Sequence, residues 1–245
     1  MIKNIKLTFA YDGSKYSGMQ TQKDKNSIQE TIERAIERVC GRSLRLIIAG
    51  RTDAGVHAYA MVGNFLSPLD IPAKAYIYKL RMHLPDSIMI KDAQEVGLDF
   101  HARFSARSKS YQYIIYNGKF MHPSLNHIYT QVEYTLDIEK MQRAAKHLIG
   151  THDFKAFSKY VDRPVNTVRK LTSLDIYKKE NLIYFDFKAP SFLYNQIRVI
   201  VGSLVDVGRG HRSVQSVVDL LTSKDRSKAG MTYPAAGLYL LEIDY

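Results

Sequence analysis

From Ala49 to Ala58 the chain reads Ala-Gly-Arg-Thr-Asp-Ala-Gly-Val-His-Ala. One carboxylate, Asp53, stands between two glycines, with a guanidinium at Arg51 and an imidazole at His57. An ionised carboxylate on such a loop can act as a nucleophile or take up a proton. Gly50 and Gly55 permit a sharp turn or a close approach of a ligand to the backbone. The same residues also suit a plain turn in which the aspartate caps neighbouring N–H groups. Residue types alone leave both readings open. His57 has no second His or Cys at ligand spacing, so it is expected to order the loop, and no metal is expected.

Three further places carry candidate chemistry. Phe100 to Lys109 interleaves Arg103, Arg107 and Lys109 with Phe and His. A charge run is often only a solvated face. Here guanidinium groups could meet phosphates and aromatic faces could receive bases, as RNA contacts do. Tyr111, Tyr113 and Ile115 fall on one face of a strand by their period of two. Arg198 interrupts an apolar helical run, Ser191 to Gly202. A guanidinium there either snorkels to the helix edge or demands a carboxylate, because burying it unpaired costs several kcal/mol.

The elements that must hold these residues are readable. Ile5, Leu7 and Phe9 alternate with Lys6 and Thr8, a half-buried strand. Ser27 and Glu30 read as a capping box before a helix with apolar positions at 28, 32, 35, 36 and 39, stopped by Gly41. Cys40, the single cysteine, is expected as a small core residue that closes this helix. Leu44 to Ile48 and Tyr59 to Leu66 read as strands on either side of the Asp53 loop. A helix follows Pro72, and a strand runs from Ile88 to Val96. A second amphipathic helix spans Leu136 to Leu148. Val168–Lys178 and Leu182–Lys188 read as a hairpin around Glu180-Asn181. A short helix covers Val214 to Leu221, and Gly237 to Ile243 is a closing strand. Strands pairing as hairpins rather than through βαβ crossovers make the fold α+β.

Composition narrows the partner. There are 35 Lys+Arg against 24 Asp+Glu, a formal net charge of +11. Folding does not need that excess, whereas a polyanion does, and nucleic acid is the usual one. No apolar stretch approaches the roughly 18 residues of a membrane span. No amphipathic basic helix suggests a membrane surface, and no secretory signal opens the chain. A soluble, cytoplasmic protein with no membrane association is expected.

Gly50 to Ala58 resembles, residue for residue, the GRTDAGVHA motif of the TruA-type tRNA pseudouridine synthases. The likeness extends to Tyr11-Asp12-Gly13-Ser14-Lys15-Tyr16, Gly18 and Gln20, to the strand bearing Tyr111, to the His152-Asp153-Phe154 segment and to Gly237-Leu238-Tyr239-Leu240. It therefore covers nearly the full length. Three positions depart from the pattern: Met19 where the family usually has Trp, and Arg81 and His83 in a segment that usually carries Asn. The early strand–helix–strand–strand order and a comparable helix-plus-hairpin order after residue 130, taken with the resemblance, read as two similar halves, 1–105 carrying the catalytic loop and 106–245 completing the cleft. They would share one mostly antiparallel central sheet flanked by helices. The resemblance implies conversion of uridine to pseudouridine in RNA without a cofactor, with tRNA as substrate and a homodimer as the working form. Asp53 would be the nucleophile, and Tyr111 would stack on the target uracil and could also take part in proton transfer. Arg198 would pair with Asp53, and Arg51 would fill the space the base leaves or bind the adjoining phosphate. His152 and Asp153 are expected to order their loop rather than to act as an acid–base pair. The usual target is the anticodon stem-loop, around positions 38 to 40. The departures leave open a paralogue acting at another RNA site, and a noncatalytic RNA-binding module or a hydrolase for an acidic small molecule are the alternatives by class.

Overall fold

The computed structural model describes residues 2–22, 25–159 and 166–245. The chain forms two compact units, Met1–Arg107 with Tyr239–Tyr245, and Ser108–Leu238.

The first unit contains β1 (Lys3–Tyr11), α1 (Ile28–Cys40), β2 (Ile47–Ile48), β3 (His57–Ser67), α2 (Ala75–Arg81) and β4 (Ile88–Val96). β1 lies between β4 and β3, antiparallel to both, and β2 pairs with β3. The alternation in β1 has its predicted result, with Ile5, Leu7 and Phe9 fully buried. In α1 the Ser27 hydroxyl accepts the Glu30 N–H at 3.2 Å. The Glu30 carboxylate does not complete the box, because Arg34 one turn on holds it at 2.5 Å. Gly41 ends the helix in the left-handed region, φ +71°, its N–H on the Glu37 carbonyl. Cys40 is half-buried rather than a core residue.

The second unit contains β5 (Ser108–Asn117), β6 (Thr130–Val132), α3 (Ile138–Lys146), β7 (Gly150–Asp153), β8 (Val168–Leu171), β9 (Ser173–Lys179), β10 (Leu182–Ala189), α4 (Gln196–Gly208) and α5 (Ser216–Ser223). β10 runs antiparallel to β5 and β9, and β6 lies parallel to β5. The expected long hairpin arm divides at Thr172. β8 leaves to pair with β7, and only β9 continues against β10. Glu180 makes the hairpin turn at φ +52°. α4 is buried on most sides and packs tightly. A Cβ on Gly208 would stand 2.4 Å from Met141 Sδ of α3.

The last strand, β11 (Leu238–Asp244), returns to the first unit and lies parallel to β3, with Tyr239 opposite His57 and Leu240 opposite Ala58. In both units the strands pair mostly antiparallel and the helices stand outside βαβ crossovers, the expected α+β class. Among the described residues no helix is long and apolar enough to cross a membrane.

Candidate active site

The Asp53 loop leaves β2 and enters β3. Gly55 takes φ +79°, and the Val56 N–H closes the turn on the Asp53 carbonyl at 3.2 Å. Gly50 is not in the left-handed region, so of the two glycines only Gly55 supplies a positive φ to this loop. Asp53 is half-buried and Arg51 is exposed.

The loop does not stand alone, because the segment after β1 packs directly beneath it. Gly18 adopts φ +104°, where a Cβ would sit 2.8 Å from the Thr52 carbonyl oxygen. The next N–H, from Met19, donates to that same oxygen at 3.1 Å. Met19 is fully buried, so the position that departs from the family pattern still fills the base of the loop. Tyr11 and Thr52 share a hydrogen bond of 2.7 Å between hydroxyls.

His57 is buried where β3 begins. Its Nδ1 receives the Gly13 N–H at 3.3 Å and lies 3.2 Å from Asp12 Oδ1. A nitrogen accepting from Gly13 carries no proton, so the Asp12 contact becomes an ion pair only when the ring is charged. The imidazole stacks on Tyr239 at 4.7 Å, and Tyr239 stacks in turn on Tyr59 at 5.4 Å. As the sequence suggested, His57 orders the loop. Tyr239 as its partner was not foreseen; the only signal was a tyrosine in the closing strand.

Arg103 and Arg107 follow β4 in the same unit, and both are exposed. Arg103 lies over the Phe104 ring, 5.4 Å from its centroid. The Arg107 N–H donates to the Asp244 carbonyl at 2.8 Å, fixing the backbone beneath its side chain. Beneath this segment two buried amides, Asn4 and Asn64, touch each other and the loop backbone. The sequence reading missed both; Asn64 inside an apolar strand was the available signal.

In the second unit Tyr111 is buried on β5 opposite Phe187, its ring edge-on to Phe192 at 5.3 Å. Lys109, at the start of β5, is half-buried opposite Ala189. Tyr113 points its hydroxyl at Thr130 (2.6 Å) and the Pro234 carbonyl (2.7 Å). Burial holds the Tyr113 phenol well above the usual tyrosine range, against the opposing hydrogen bond from Thr130 and charge of Arg198.

Arg198 falls in the first turn of α4, not in the middle of a helix beginning at Ser191. Asn195 takes φ +62°, which breaks the helical path, and the Gln196 side chain accepts the Leu193 N–H at 2.7 Å. The guanidinium donates through Nε to the Tyr233 carbonyl at 2.6 Å and through a terminal nitrogen to Asn195 Oδ1 at 3.2 Å. The Tyr233 N–H returns to the Arg198 carbonyl at 3.1 Å. His152 and Asp153 order their loop: Asp153 accepts from the Thr167 hydroxyl and Lys155 N–H and pairs with Lys224 at 2.9 Å. Among the described residues no group of three or more His, Cys, Asp or Glu converges as a metal site.

The family model described as tRNA pseudouridine synthase matches residues 7–105 and 144–245. A protein of Acetivibrio thermocellus named tRNA pseudouridine synthase A is 43% identical over 244 residues, covering 100% of both chains. One of a Thermoanaerobacter species, with the same name, is 44% identical over 244 residues, again covering 100% of both. A Clostridium tetani protein named tRNA pseudouridine synthase A 2 is 44% identical over 248 residues at the same coverage.

Proposed function

The chain belongs to the tRNA pseudouridine synthase family, and on that premise we propose that it isomerises uridine to pseudouridine in tRNA with Asp53 as the acting carboxylate. The reaction breaks the bond between uracil N1 and the ribose C1′. The uracil turns, C5 bonds to C1′, the C5 proton leaves and N1 takes up a proton. The product is an isomer of the substrate, so no redox partner is needed.

One observation supports the role of Asp53 above the rest. It is a half-buried carboxylate on a turn that is closed by Gly55 and braced from below by Gly18, Met19 and Tyr11. Such preorganisation keeps a reacting group at its working distance. In this reading Arg198 pairs with Asp53, and a cation that close typically lowers a carboxyl pKa by about 1–3 units. Tyr111 stacks on the target uracil. Taking that base out of the helix costs a few kcal/mol, and Arg51, exposed beside Asp53, occupies the vacated place or binds the neighbouring phosphate. Arg103, Arg107 and Lys109 hold phosphates, which sets register without reading sequence.

The target is a uridine of the anticodon stem-loop, the enzyme works in the cytoplasm, and the working form is a homodimer with one tRNA touching both subunits. Asp53→Asn tests the central claim: tritium release from C5-labelled uridine in tRNA is abolished while tRNA affinity is nearly kept. Turnover retained in that variant removes Asp53 from the chemistry.

A further inference from the structure

Phe104 exposes three-quarters of its surface. A lone exposed apolar residue is ordinary; what sets this one apart is the rigidity of the turn that presents it. The His101 and Ser105 backbones bond to each other through the Ser105 N–H (2.9 Å), and the Ser105 hydroxyl takes the His101 N–H (3.1 Å). His101 Nδ1 accepts the N–H groups of both Arg103 and Phe104, at 3.2 and 3.3 Å. The His101 ring then lies 4.4 Å from the Phe104 ring, and the Arg103 guanidinium covers it at 5.4 Å.

The turn is fixed from inside as well. Asn4 and Asn64 are 1% and 2% exposed. The Asn4 amide donates to the carbonyls of Gly97 and Phe100 at 2.9 and 3.0 Å. The Asn64 amide donates to Asn4 Oδ1 at 2.9 Å, and Asn64 Oδ1 accepts the Ala102 N–H at 2.9 Å. The Tyr245 hydroxyl donates to the Ala102 carbonyl at 2.7 Å. Burying two amides between strands is costly unless every polar atom is satisfied. Here most of their bonds go to the loop rather than to the sheet.

A ring three-quarters exposed, a guanidinium over it and an imidazole beside it, and a fixed backbone make a stacking platform for an unpaired base. The excess positive charge of the chain and the neighbouring Arg107 favour RNA over a protein partner. We propose that Phe104 stacks on an unpaired base of the bound tRNA, and that the buried Asn4–Asn64 pair is the positioning device that presents it. The proposal rests on the tRNA reading above.

The chain has no tryptophan, so Phe104→Trp introduces a single indole at the site, excited selectively over the tyrosines. Its emission is expected to be quenched saturably by an unmodified tRNA transcript. Phe104→Ala and Phe104→Leu should weaken tRNA binding by roughly 5- to 150-fold, the loss of one base–aromatic stack, with the effect falling on KM more than on kcat. Phe104→Tyr should keep the affinity. In the Phe104→Trp background, Asn64→Ala should lower the indole anisotropy and raise KM; Asn4→Ala gives the same readout where the first variant does not fold. Unchanged emission with tRNA bound, or unchanged affinity in the Ala and Leu variants, overturns the platform. Unchanged anisotropy in both Asn variants overturns the positioning role. Saturable quenching in Phe104→Trp, beside a wild type that binds tRNA but forms no pseudouridine, overturns the catalytic reading while leaving the platform standing.

Discussion

Gly13 lies so close to Val56 that a Cβ built on it would stand 1.9 Å from the Val56 carbonyl oxygen. The segment after β1 and the Asp53 loop therefore share one packed backbone surface, and a methyl group at position 13 must push the two apart. Gly13→Ala should destabilise the protein by roughly 1–3 kcal/mol, the usual cost of overpacking. Its larger effect should be on rate. A displacement of about 1 Å in a reacting group can cost on the order of 100-fold. Tritium release and thermal melts on the same preparation separate the two, and a variant that melts lower but turns over normally would detach this contact from catalysis.

Gly41 supplies the contrast. It sits at positive φ, +71°, which Gly13 does not, and a Cβ there meets nothing within 4 Å. Gly41→Ala should cost only the strain of a left-handed alanine, about 1 kcal/mol. Denaturant midpoints should fall accordingly while turnover stays at the wild-type value.

The contrast shows what the sequence could reveal. Elements whose fate is decided locally were legible: the alternation of β1, the Ser27 cap, the Gly41 stop, the Glu180-Asn181 turn. Elements decided by a distant partner were not. Leu44 to Ile48 reads as one strand, yet only Ile47 and Ile48 pair. The Leu46 N–H is taken by the Glu33 carboxylate of α1 at 2.9 Å, and its carbonyl by the Gln29 amide at 3.0 Å. No period along the chain records that side chains of a helix will claim those groups. The start of α4 was misplaced for a related reason, since apolar spacing does not reveal a single left-handed residue at Asn195. In the site, Asp53 stood out because its whole loop string is distinctive. Gly13, Asn4 and Tyr239 act through contacts far apart in sequence, and nothing about their types alone marks them.

Asn64 allows a test of the buried amide pair by stability alone. Asn64→Ala removes the partner of Asn4 Oδ1 and of the Ala102 N–H, both within the fold. Leaving buried polar groups unsatisfied costs about 1–3 kcal/mol each. Asn64→Ala should therefore lower stability by roughly 2–5 kcal/mol, read from urea unfolding. A loss below about 0.5 kcal/mol would mean that these amides contribute little to holding the loop.

Alkaline stability follows from the buried phenols. Burial holds Tyr113 and Tyr245 well above the ordinary tyrosine range. The folded state then keeps protons that the unfolded chain gives up. Their contribution is fully present below the ordinary tyrosine pKa near 10 and is lost as pH rises toward the raised folded values. Melting temperature should hold from pH 8 to about 10 and then fall. Tyr245→Phe should make that fall shallower. An identical alkaline slope in this variant would show that Tyr245 does not contribute to it.

Arg103 and Arg107 are exposed cations on a braced segment, whereas Lys109 is half-buried at the start of β5. Each phosphate contact releases condensed counterions, so the logarithm of affinity falls with the logarithm of salt by about 0.7 to 0.9 per contact. Arg103→Glu and Arg107→Glu should each weaken tRNA binding and flatten this slope by roughly one contact. Lys109→Glu should do less, because its side chain is less open to a phosphate. Filter binding between about 50 and 200 mM salt resolves these differences. An unchanged slope in both arginine variants would move the RNA path off this segment, and a Lys109 effect exceeding theirs would shift it toward β5.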